Sequence, residues 1–211
     1  MSIRNLSYLE LDLLKEIGNI GAGNAATSMS KLINKKIDMQ VPSVKIVEFD
    51  EVMNMIGGPE ELIVAIMFHI EGDTPGTVYF ILSRKEAEQL VNQMVPGQEN
   101  SMFSGTESNP FVISILQEAG NILTGSYLTA LSDFLKLNMQ PSIPYYSFDM
   151  AGAILSAGLI ELSQVTDYAI IIDTKINDSE ATNGVNGQFF FIPEPESLSK
   201  IFHALGIEHY D

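Results

Sequence analysis

Cysteine is absent from this chain of 211 residues, and so is tryptophan. Without cysteine, disulfide bonds, thiol nucleophiles and cysteine-ligated metals are excluded, and such a chain is typical of the cytosol. Histidine is scarce too: His69, His203 and His209 do not have the spacing of a metal motif such as H-E-x-x-H. We therefore expect no thiol catalysis and no protein-bound metal, and we interpret His69, in an apolar run, as a half-buried strand residue.

Basic residues are also few, since 11 Lys and Arg against 27 Asp and Glu give a formal net charge of −16. Nucleic acids and anionic membranes are bound through clustered Lys and Arg, so neither is expected as a partner. The longest apolar run, residues 62–68, is far shorter than the ~20 residues of a membrane-spanning helix. Residues 1–5 lack a secretory apolar segment. We expect a cytoplasmic protein that acts on a protein or a small molecule.

Glycine-rich phosphate loops are missing as well. The chain has no G-x-x-x-x-G-K-[ST] sequence, which is the loop that binds nucleotide phosphates in many enzymes. Gly18, Gly21 and Gly23 lie close together, but their spacing differs from G-x-G-x-x-G and they follow a helical pattern instead of a strand. The sequence therefore predicts that the protein has no nucleotide cofactor of its own.

The chain contains one pattern twice. Residues 14–20 read Leu-Lys-Glu-Ile-Gly-Asn-Ile and residues 116–122 read Leu-Gln-Glu-Ala-Gly-Asn-Ile, an offset of 118 − 16 = 102. Further along, residues 76–81 correspond to residues 187–192. We interpret the chain, 1–211, as a single domain made of two repeats, about 7–95 and 109–206, joined by a linker at 96–108.

Each repeat has the predicted order α-β-α-β-β-α. A long helix is expected from Ser7 to about Asn34 and again from Asn109 to about Lys136, with caps at Ser7 and Asn109. The other predicted elements begin with β-like stretches at 37–49 and 137–148, which alternate only partly and are interrupted by prolines. They are followed by weaker helices from about 50 and 149, strands at 62–70, 77–82, 168–176 and 188–192, a polar loop at 177–187, and final helices at 85–94 and 196–205. This order favours an α/β sandwich of two pseudo-twofold-related halves that share one sheet.

One face of each long helix is polar, and it is nearly the same in both repeats. Residues three and four apart share a helix face. The polar stripe of the first helix is Asp12, Glu16, Asn19, Gly23, Thr27 and Ser30, and that of the second is Ser114, Glu118, Asn121, Gly125, Thr129 and Ser132. The predicted core face of the first helix is Leu13, Leu14, Ile17, Ile20, Ala25, Met29 and Leu32.

The polar stripe could be an ordinary solvated face or a functional surface. A solvated face is usually built from Lys, Glu, Gln and Arg, which favour helix more than Asn, Gly, Thr or Ser, and a glycine costs ~0.8–1 kcal/mol relative to alanine. The repeats nevertheless keep Glu, Asn and Gly on this face, while the core face changes, as from Ile17 to Ala119. We therefore favour a functional surface, on which Gly23 and Gly125 let another backbone approach closely.

A glutamate and an asparagine one helical turn apart indicate catalysis by positioning. The stripe has no cysteine and no serine paired with histidine, so it offers no activated nucleophile. An asparagine amide both donates and accepts hydrogen bonds and can hold a water molecule in one orientation. Phosphoryl transfer depends mainly on positioning and on charge stabilisation that a metal can supply. If the substrate brings its own Mg²⁺ and acyl phosphate, the amide need only orient water, and the carboxylate can pair with a cation on the substrate.

These residues resemble the signature of the CheC family of chemotaxis phosphatases, [Asp/Ser]-x3-Glu-x2-Asn-x22-Pro. The first copy is Asp12, Glu16, Asn19 and Pro42, and the second is Ser114, Glu118, Asn121 and Pro144, both with the spacing intact. CheX-type relatives carry one motif per chain, so the two intact copies favour the CheC type. The likeness extends over essentially the whole chain.

The resemblance implies a function for each motif residue. The substrate would be the phosphorylated response regulator CheY, a cytoplasmic protein that carries Mg²⁺ in its own site. Asn19 and Asn121 would position the attacking water, and Glu16 and Glu118 would pair with a lysine of the regulator. The supporting motif residues would be Asp12, Pro42, Ser114 and Pro144. The family also implies a second partner, the receptor deamidase CheD.

Two alternatives from other classes stay open. The chain could be a non-catalytic adaptor that binds phosphorylated CheY or CheD, although binding alone does not require two asparagines at matched positions. It could also be a structural component of the flagellar switch, whose relatives continue into a further C-terminal domain, whereas this chain stops at Asp211. Finally, the small-residue run at 151–158 could permit a close protein contact or form a tightly packed core helix.

Overall fold

The computed structural model describes residues 8–97, 102–104, 107–155, 168–178 and 184–206. The elements of the first repeat are α1 (Tyr8–Ile33), β1 (Ile37–Gln40), β2 (Val44–Glu48), α2 (Phe49–Met55), β3 (Leu62–Gly72), β4 (Gly76–Ser83) and α3 (Arg84–Met94). Those that follow are β5 (Phe103–Ser104), β6 (Glu107–Ser108), α4 (Pro110–Leu135), β7 (Met139–Pro141), β8 (Tyr145–Met150), α5 (helical at 151–155), β9 (Tyr168–Asp178), β10 (Val185–Pro193) and α6 (Pro195–Ala204).

Both long helices have the bounds that their sequences predict. The Oδ1 atom of Asn109 accepts a hydrogen bond of 2.9 Å from the Phe111 N–H, and Pro110 is the first helical residue, so the predicted cap of α4 is confirmed. The predicted cap at Ser7 lies outside the described residues. Asn34 and Lys136, also 102 residues apart (136 − 34), end the two helices in the left-handed conformation, with φ of 53° and 56°.

The predicted interruption of the β-like stretches by prolines divides each stretch into two strands, and the predicted polar loop needs correction. Each stretch is two strands, β1 with β2 and β7 with β8, separated by three residues at 41–43 and 142–144. Pro42 and Pro144 lie in these breaks, where a residue without an N–H cannot continue a ladder. The loop predicted at 177–187 is shorter, because β9 continues to Asp178 and β10 begins at Val185. Residues 179–183 lie outside the described residues.

The two repeats build one sheet and exchange their outer strands. The strand order is β1-β9-β10-β4-β3-β7, with β2 also paired to β9 and β8 also paired to β3, and all pairs are antiparallel. At the centre Tyr79 lies opposite Phe190, and 190 − 79 = 111 is also the offset that relates residues 76–81 to 187–192. The two halves therefore meet through equivalent strands at the centre of the sheet. The predicted mixed α/β fold with a shared sheet is confirmed.

Helices cover both faces of the sheet. One face, which carries Phe68, Phe80 and Phe189, packs against α1, α3, α4 and α6. The other face, with Tyr79 and Phe190, packs against α2 and α5. Within 151–155, Ala151 and Leu155 are buried in this second core, which supports the core interpretation of the small-residue run. Its remaining residues, 156–158, lie outside the described part of the chain.

The two long helices lie side by side on the sheet and meet at a glycine. A Cβ atom added to Gly21 would lie 2.5 Å from the ring Cδ1 and 2.9 Å from the Cα of Tyr127, so only glycine permits this approach. The Tyr127 hydroxyl is hydrogen-bonded to the Thr174 Oγ1 atom of β9 at 2.8 Å. Burial raises the pKa of Tyr127 to about 12, against the lowering effect of that bond. This contact holds both helices at fixed positions on the sheet.

Candidate functional site

The motif residues lie on the outer surface of the two long helices. We call Glu16, Asn19 and Pro42 the first site, and Glu118, Asn121 and Pro144 the second site. Both glutamates, Pro42 and Asn121 are exposed, while Asn19 and Pro144 are half-buried. Each glutamate precedes its asparagine by three residues on the same helix, so the two side chains of each site share one helix face. The structure thus presents two separate polar surfaces instead of one cleft.

The glycines of the polar stripe border open space. A Cβ atom added to Gly23 or to Gly125 would meet no atom within 4 Å. These two glycines are therefore not required for packing within the chain, in contrast to Gly21 at the helix crossing. Their positions next to the Glu–Asn pairs leave room for the backbone of another molecule to approach.

The far end of the stripe has structural contacts of its own. The Thr27 hydroxyl donates to the Gly23 carbonyl oxygen of its own helix at 2.9 Å. The Ser30 hydroxyl accepts a 2.9 Å hydrogen bond from the Ile37 N–H and so holds the start of β1. The Ser132 hydroxyl is buried and has no hydrogen-bond partner within the described chain. The Thr27 and Ser30 hydroxyls are therefore engaged within the chain.

The predicted core face of α1 is partly wrong. Ile20 and Leu32 were expected inside, yet they are 49% and 52% exposed, while Ala22 and Ala26 are buried. The reason is that α1 packs against both the sheet and α4, and the close helix contact at Gly21 selects small side chains for the buried arc. The larger side chain of Ile20, next to that arc, is therefore exposed at the surface of the helix.

In the first site the asparagine is tied to the loop that carries the motif proline. The Oδ1 atom of Asn19 accepts a hydrogen bond of 3.0 Å from the backbone N–H of Val41. The Val41 side chain is buried, and its methyl groups would lie 3.4 Å from a Cβ atom added to Gly18. Val41 therefore packs over Gly18, one residue before Asn19, and Pro42 follows immediately. In the first site this contact brings the loop with Pro42 next to Asn19.

The same loop is anchored to β9, on its other side. The Asp173 N–H donates to the Ser43 carbonyl oxygen at 3.0 Å, and the Ser43 hydroxyl donates to the Asp173 carboxylate. The carboxylate also accepts from Lys45 at 3.3 Å and from Gln188 at 3.4 Å. The sequence analysis missed these residues, because Ser43 and Asp173 are far apart in the chain and neither belongs to the repeated pattern.

In the second site the asparagine is not tied to its loop. Among the described residues no hydrogen bond is found for the exposed Asn121 amide. The loop is held by Gln117 instead, whose Nε2 atom donates to the Pro144 carbonyl oxygen at 3.1 Å. The first repeat has Lys15 at the position of Gln117 (117 − 15 = 102), so the repeated pattern gave no signal for this contact.

The residue before the proline also differs between the sites. Ile143, the counterpart of Val41, is 73% exposed, whereas Val41 is 2% exposed. At Gly120, the counterpart of Gly18, an added Cβ atom would lie 2.9 Å from the Cγ2 atom of Ile66. Ile66 of β3 occupies the space over this glycine, and Ile143 lies at the surface instead.

Exposed apolar side chains lie on the elements of the second site, as Leu9 and Ile20 do on the helix of the first site. Besides Ile143, Phe111 and Tyr145 are about half exposed. The ring of His69 lies edge-on to the Tyr145 ring, with centroids 5.9 Å apart. His69 is itself exposed, so the prediction of a half-buried histidine is wrong. The reason is that His69 lies on β3 just beyond the paired part of β8, where Tyr145 does not cover it completely.

The sites contain groups that can orient and dock, but no nucleophile of their own. In the described part of the chain, no group of three or more His, Asp or Glu side chains is placed to hold a metal ion. No salt bridge to Glu16 or Glu118 is found among the described residues, so both carboxylates are open to a cation of a partner. No helix in the described ranges is long and apolar enough to cross a membrane.

Comparisons with known proteins agree on one family. The model of the CheC-like family matches residues 9–46 and 111–144, the segments that contain both motif copies. The chain is 42% identical to the CheY-P phosphatase CheC of Bacillus subtilis (strain 168) over 207 residues, which are 98% of this chain and 99% of that protein. It is 28% identical to the flagellar motor switch phosphatase FliY of the same strain over 146 residues, 67% of this chain and 36% of that protein.

A solved structure has the same fold. The crystal structure of Thermotoga maritima FliY matches with a TM-score of 0.72 and 20% identity, covering 95% of this chain and 98% of that one. At this level of identity the match shows the shared architecture alone.

Proposed function

The chain belongs to the CheC-like family, and from that premise we propose that it hydrolyses the aspartyl phosphate of the chemotaxis response regulator CheY. The observation that carries this proposal is the exposed Glu–Asn pair on each long helix, next to a glycine that borders open space. A pair of this kind can orient water and bind a cation. The 42% identical relative from Bacillus subtilis is named a CheY-P phosphatase.

Asn19 and Asn121 are the residues that position the attacking water in this proposal. In the first site the Val41 N–H uses one lone pair of the Asn19 oxygen, which leaves a second lone pair and two N–H donors. These groups can hold a water molecule in line with the phosphorus–oxygen bond to be broken. The regulator's own Mg²⁺ supplies the charge stabilisation that the reaction needs, so this chain requires no cofactor.

Glu16 and Glu118 are the docking residues. Each carboxylate is exposed and lies one helical turn before its asparagine. A lysine on the regulator that pairs with this carboxylate would fix the register of the two proteins, so that the amide reaches the phosphoryl group. The net charge of −16 offers no general attraction to an acidic regulator, and recognition therefore has to be local.

The other motif residues have supporting roles. Pro42 and Pro144 interrupt the strands. Pro42 follows Val41, whose N–H donates to Asn19, whereas the Pro144 carbonyl oxygen accepts from Gln117. Asp12 is exposed one turn before Glu16, whereas its counterpart Ser114 donates its hydroxyl to the Pro110 carbonyl oxygen at 3.0 Å. This difference is consistent with a role in the surroundings of the site and not in the reaction.

The proposal also includes the cytoplasm as the location and the deamidase CheD as a second partner. The lack of a spanning helix among the described residues and the scarcity of basic residues support the location. The CheD partnership is supported by the family resemblance alone, and a pull-down of purified CheD with this chain is its test.

The decisive experiment measures the loss of phosphoryl label from purified phospho-CheY. We expect the wild-type chain to accelerate this loss, and we expect a chain with both Asn19→Ala and Asn121→Ala to lose about 10²–10³-fold in rate, as the removal of an orienting group predicts. The folded state of the double variant is checked by thermal melting. A double variant with full turnover would refute the catalytic role, and a wild-type chain that binds phospho-CheY without turnover would support the adaptor alternative.

A further inference from the structure

The two sites have the same motif but differ in how the asparagine is held, and the difference originates in the opposite repeat. We propose that Asp173, on β9, is a positioning residue for the reaction at Asn19. It acts through Ser43 and through the Val41 N–H, and the second site has no equivalent arrangement. This inference rests on the proposed phosphatase function and concerns only the positioning of Asn19 in the first site.

Asp173 holds Ser43 through two separate groups. Its N–H donates to the Ser43 carbonyl oxygen at 3.0 Å, and its carboxylate accepts the Ser43 hydroxyl. The carboxylate is only 26% exposed and is itself restrained by Lys45 at 3.3 Å. Because its backbone and side chain are both bound, Ser43 has a fixed position relative to β9.

That restraint reaches Asn19 over a very short stretch of chain. Pro42 is the only residue between Ser43 and Val41, and its ring restricts its φ angle. Val41 is also fixed at its side chain, which is buried over Gly18. The Val41 N–H therefore has a defined direction, and it points at the Asn19 oxygen at 3.0 Å.

The hydrogen bond decides how the Asn19 amide is oriented. The terminal torsion of an asparagine has broad, roughly two-fold preferences, so an unrestrained amide exchanges its oxygen and nitrogen ends. A fixed donor at the oxygen selects one of these orientations before the substrate binds. Alignment of this kind affects the rate of the bound complex, because the water has to be in line in the transition state.

The second site has no carboxylate at the matching place. The counterpart of Ser43 is Tyr145, since 43 + 102 = 145, and the residue opposite Tyr145 on the sheet is Met67. A methionine thioether cannot anchor a loop as a carboxylate does. No hydrogen bond is found for the Asn121 amide among the described residues, which agrees with this absence.

The kinetic test uses a chain in which Asn121→Ala has removed the second site. In this background we expect Ser43→Ala and Asp173→Ala each to lower kcat roughly threefold to tenfold at an unchanged KM for phospho-CheY, the effect of a loosened alignment. Ser43→Thr keeps the hydroxyl and is expected to retain the rate. Asp38→Asn is the matched control, since Asp38 is an exposed carboxylate on β1, the strand paired with β9, and among the described residues it accepts a hydrogen bond from Gln40 alone, at 3.1 Å.

The same two substitutions are then placed in an Asn19→Ala background, where only the second site works. We expect no change in kcat there. An equal loss in both backgrounds would overturn the inference, because it would indicate a general effect on the fold. A loss in neither background, or a change confined to KM, would overturn it as well.

A second readout does not depend on turnover. Hydrogen exchange of the Val41 amide is expected to be about tenfold faster in Ser43→Ala and Asp173→Ala than in the wild type, while the melting temperature changes little. Unchanged exchange at Val41 would overturn the inference. If the double asparagine variant keeps full activity, the proposed function fails, whereas the exchange result still decides whether Asp173 holds this loop.

Discussion

The first and second sites use the same glutamate and asparagine on equivalent helices, yet their surroundings are opposite in character. In the first, Val41 is buried over Gly18 and donates to Asn19. In the second, Ile143 is at the surface and Asn121 is exposed. The difference shows that two copies of a motif can keep the same side chains while the restraint on those side chains depends on what each repeat packs against. The two sites can therefore differ in rate and in docking without any change in the motif.

After the double asparagine variant, charge reversal at each glutamate is expected to have the largest effect on activity. Glu16→Lys is tested in a chain with Asn121→Ala, and Glu118→Lys in a chain with Asn19→Ala. We expect each to lower kcat/KM for phospho-CheY by about 10²-fold, because like charges at an interface cost several kcal/mol. Glu→Gln at the same positions is the matched control and is expected to cost less. Full activity in either reversed variant would show that its carboxylate does not dock the regulator.

The next largest expected contrast is in the stability of variants at Gly120 and at its counterpart Gly18. Gly120→Ala would place a Cβ atom 2.9 Å from Ile66, so we expect it to lower the free energy of unfolding by about 1–3 kcal/mol. In Gly18→Ala the nearest atoms would be 3.4 Å away, and helix propensity alone would raise stability by up to about 1 kcal/mol. Urea denaturation of the two variants measures the contrast, and equal effects would contradict the packing described for the two glycines.

The smallest contrast concerns the residues before the prolines. Val41→Ala removes buried methyl groups and is expected to cost about 1–2 kcal/mol of unfolding free energy. Ile143→Ala is expected to stay within about 0.5 kcal/mol, because its side chain is largely in solvent. Thermal melting compares the two. A large loss of stability in Ile143→Ala would mean that this side chain is buried in solution.

Much of the fold could be predicted from local signals. Asn109 and Pro110 set the start of α4, and the left-handed residues Asn34 and Lys136 are the observed ends of the long helices. The repeat at an offset of 102 predicted that both halves share one plan. The prolines already indicated an interruption in each of the two β-like stretches, and the breaks at 41–43 and 142–144 contain Pro42 and Pro144.

The candidate site was predicted in part. Spacing alone placed Glu16 with Asn19 and Glu118 with Asn121, since a helix fixes which residues share a face. Their roles in water positioning and docking stay predictions. The exposure of Ile20 could not be read from the sequence, because apolarity does not tell which arc of a helix the neighbouring helix will cover.

By itself, the sequence determined the repeat, the long helices and the two Glu–Asn pairs, because these depend on short spacings and on local hydrogen-bonding geometry. Only the tertiary structure decided that Asn19 is bonded and Asn121 is open. The restraint on Asn19 depends on Asp173, which approaches Ser43 only because strands of one repeat pair with strands of the other. Contacts between residues so far apart in the chain follow from sheet register and packing, which no local pattern specifies.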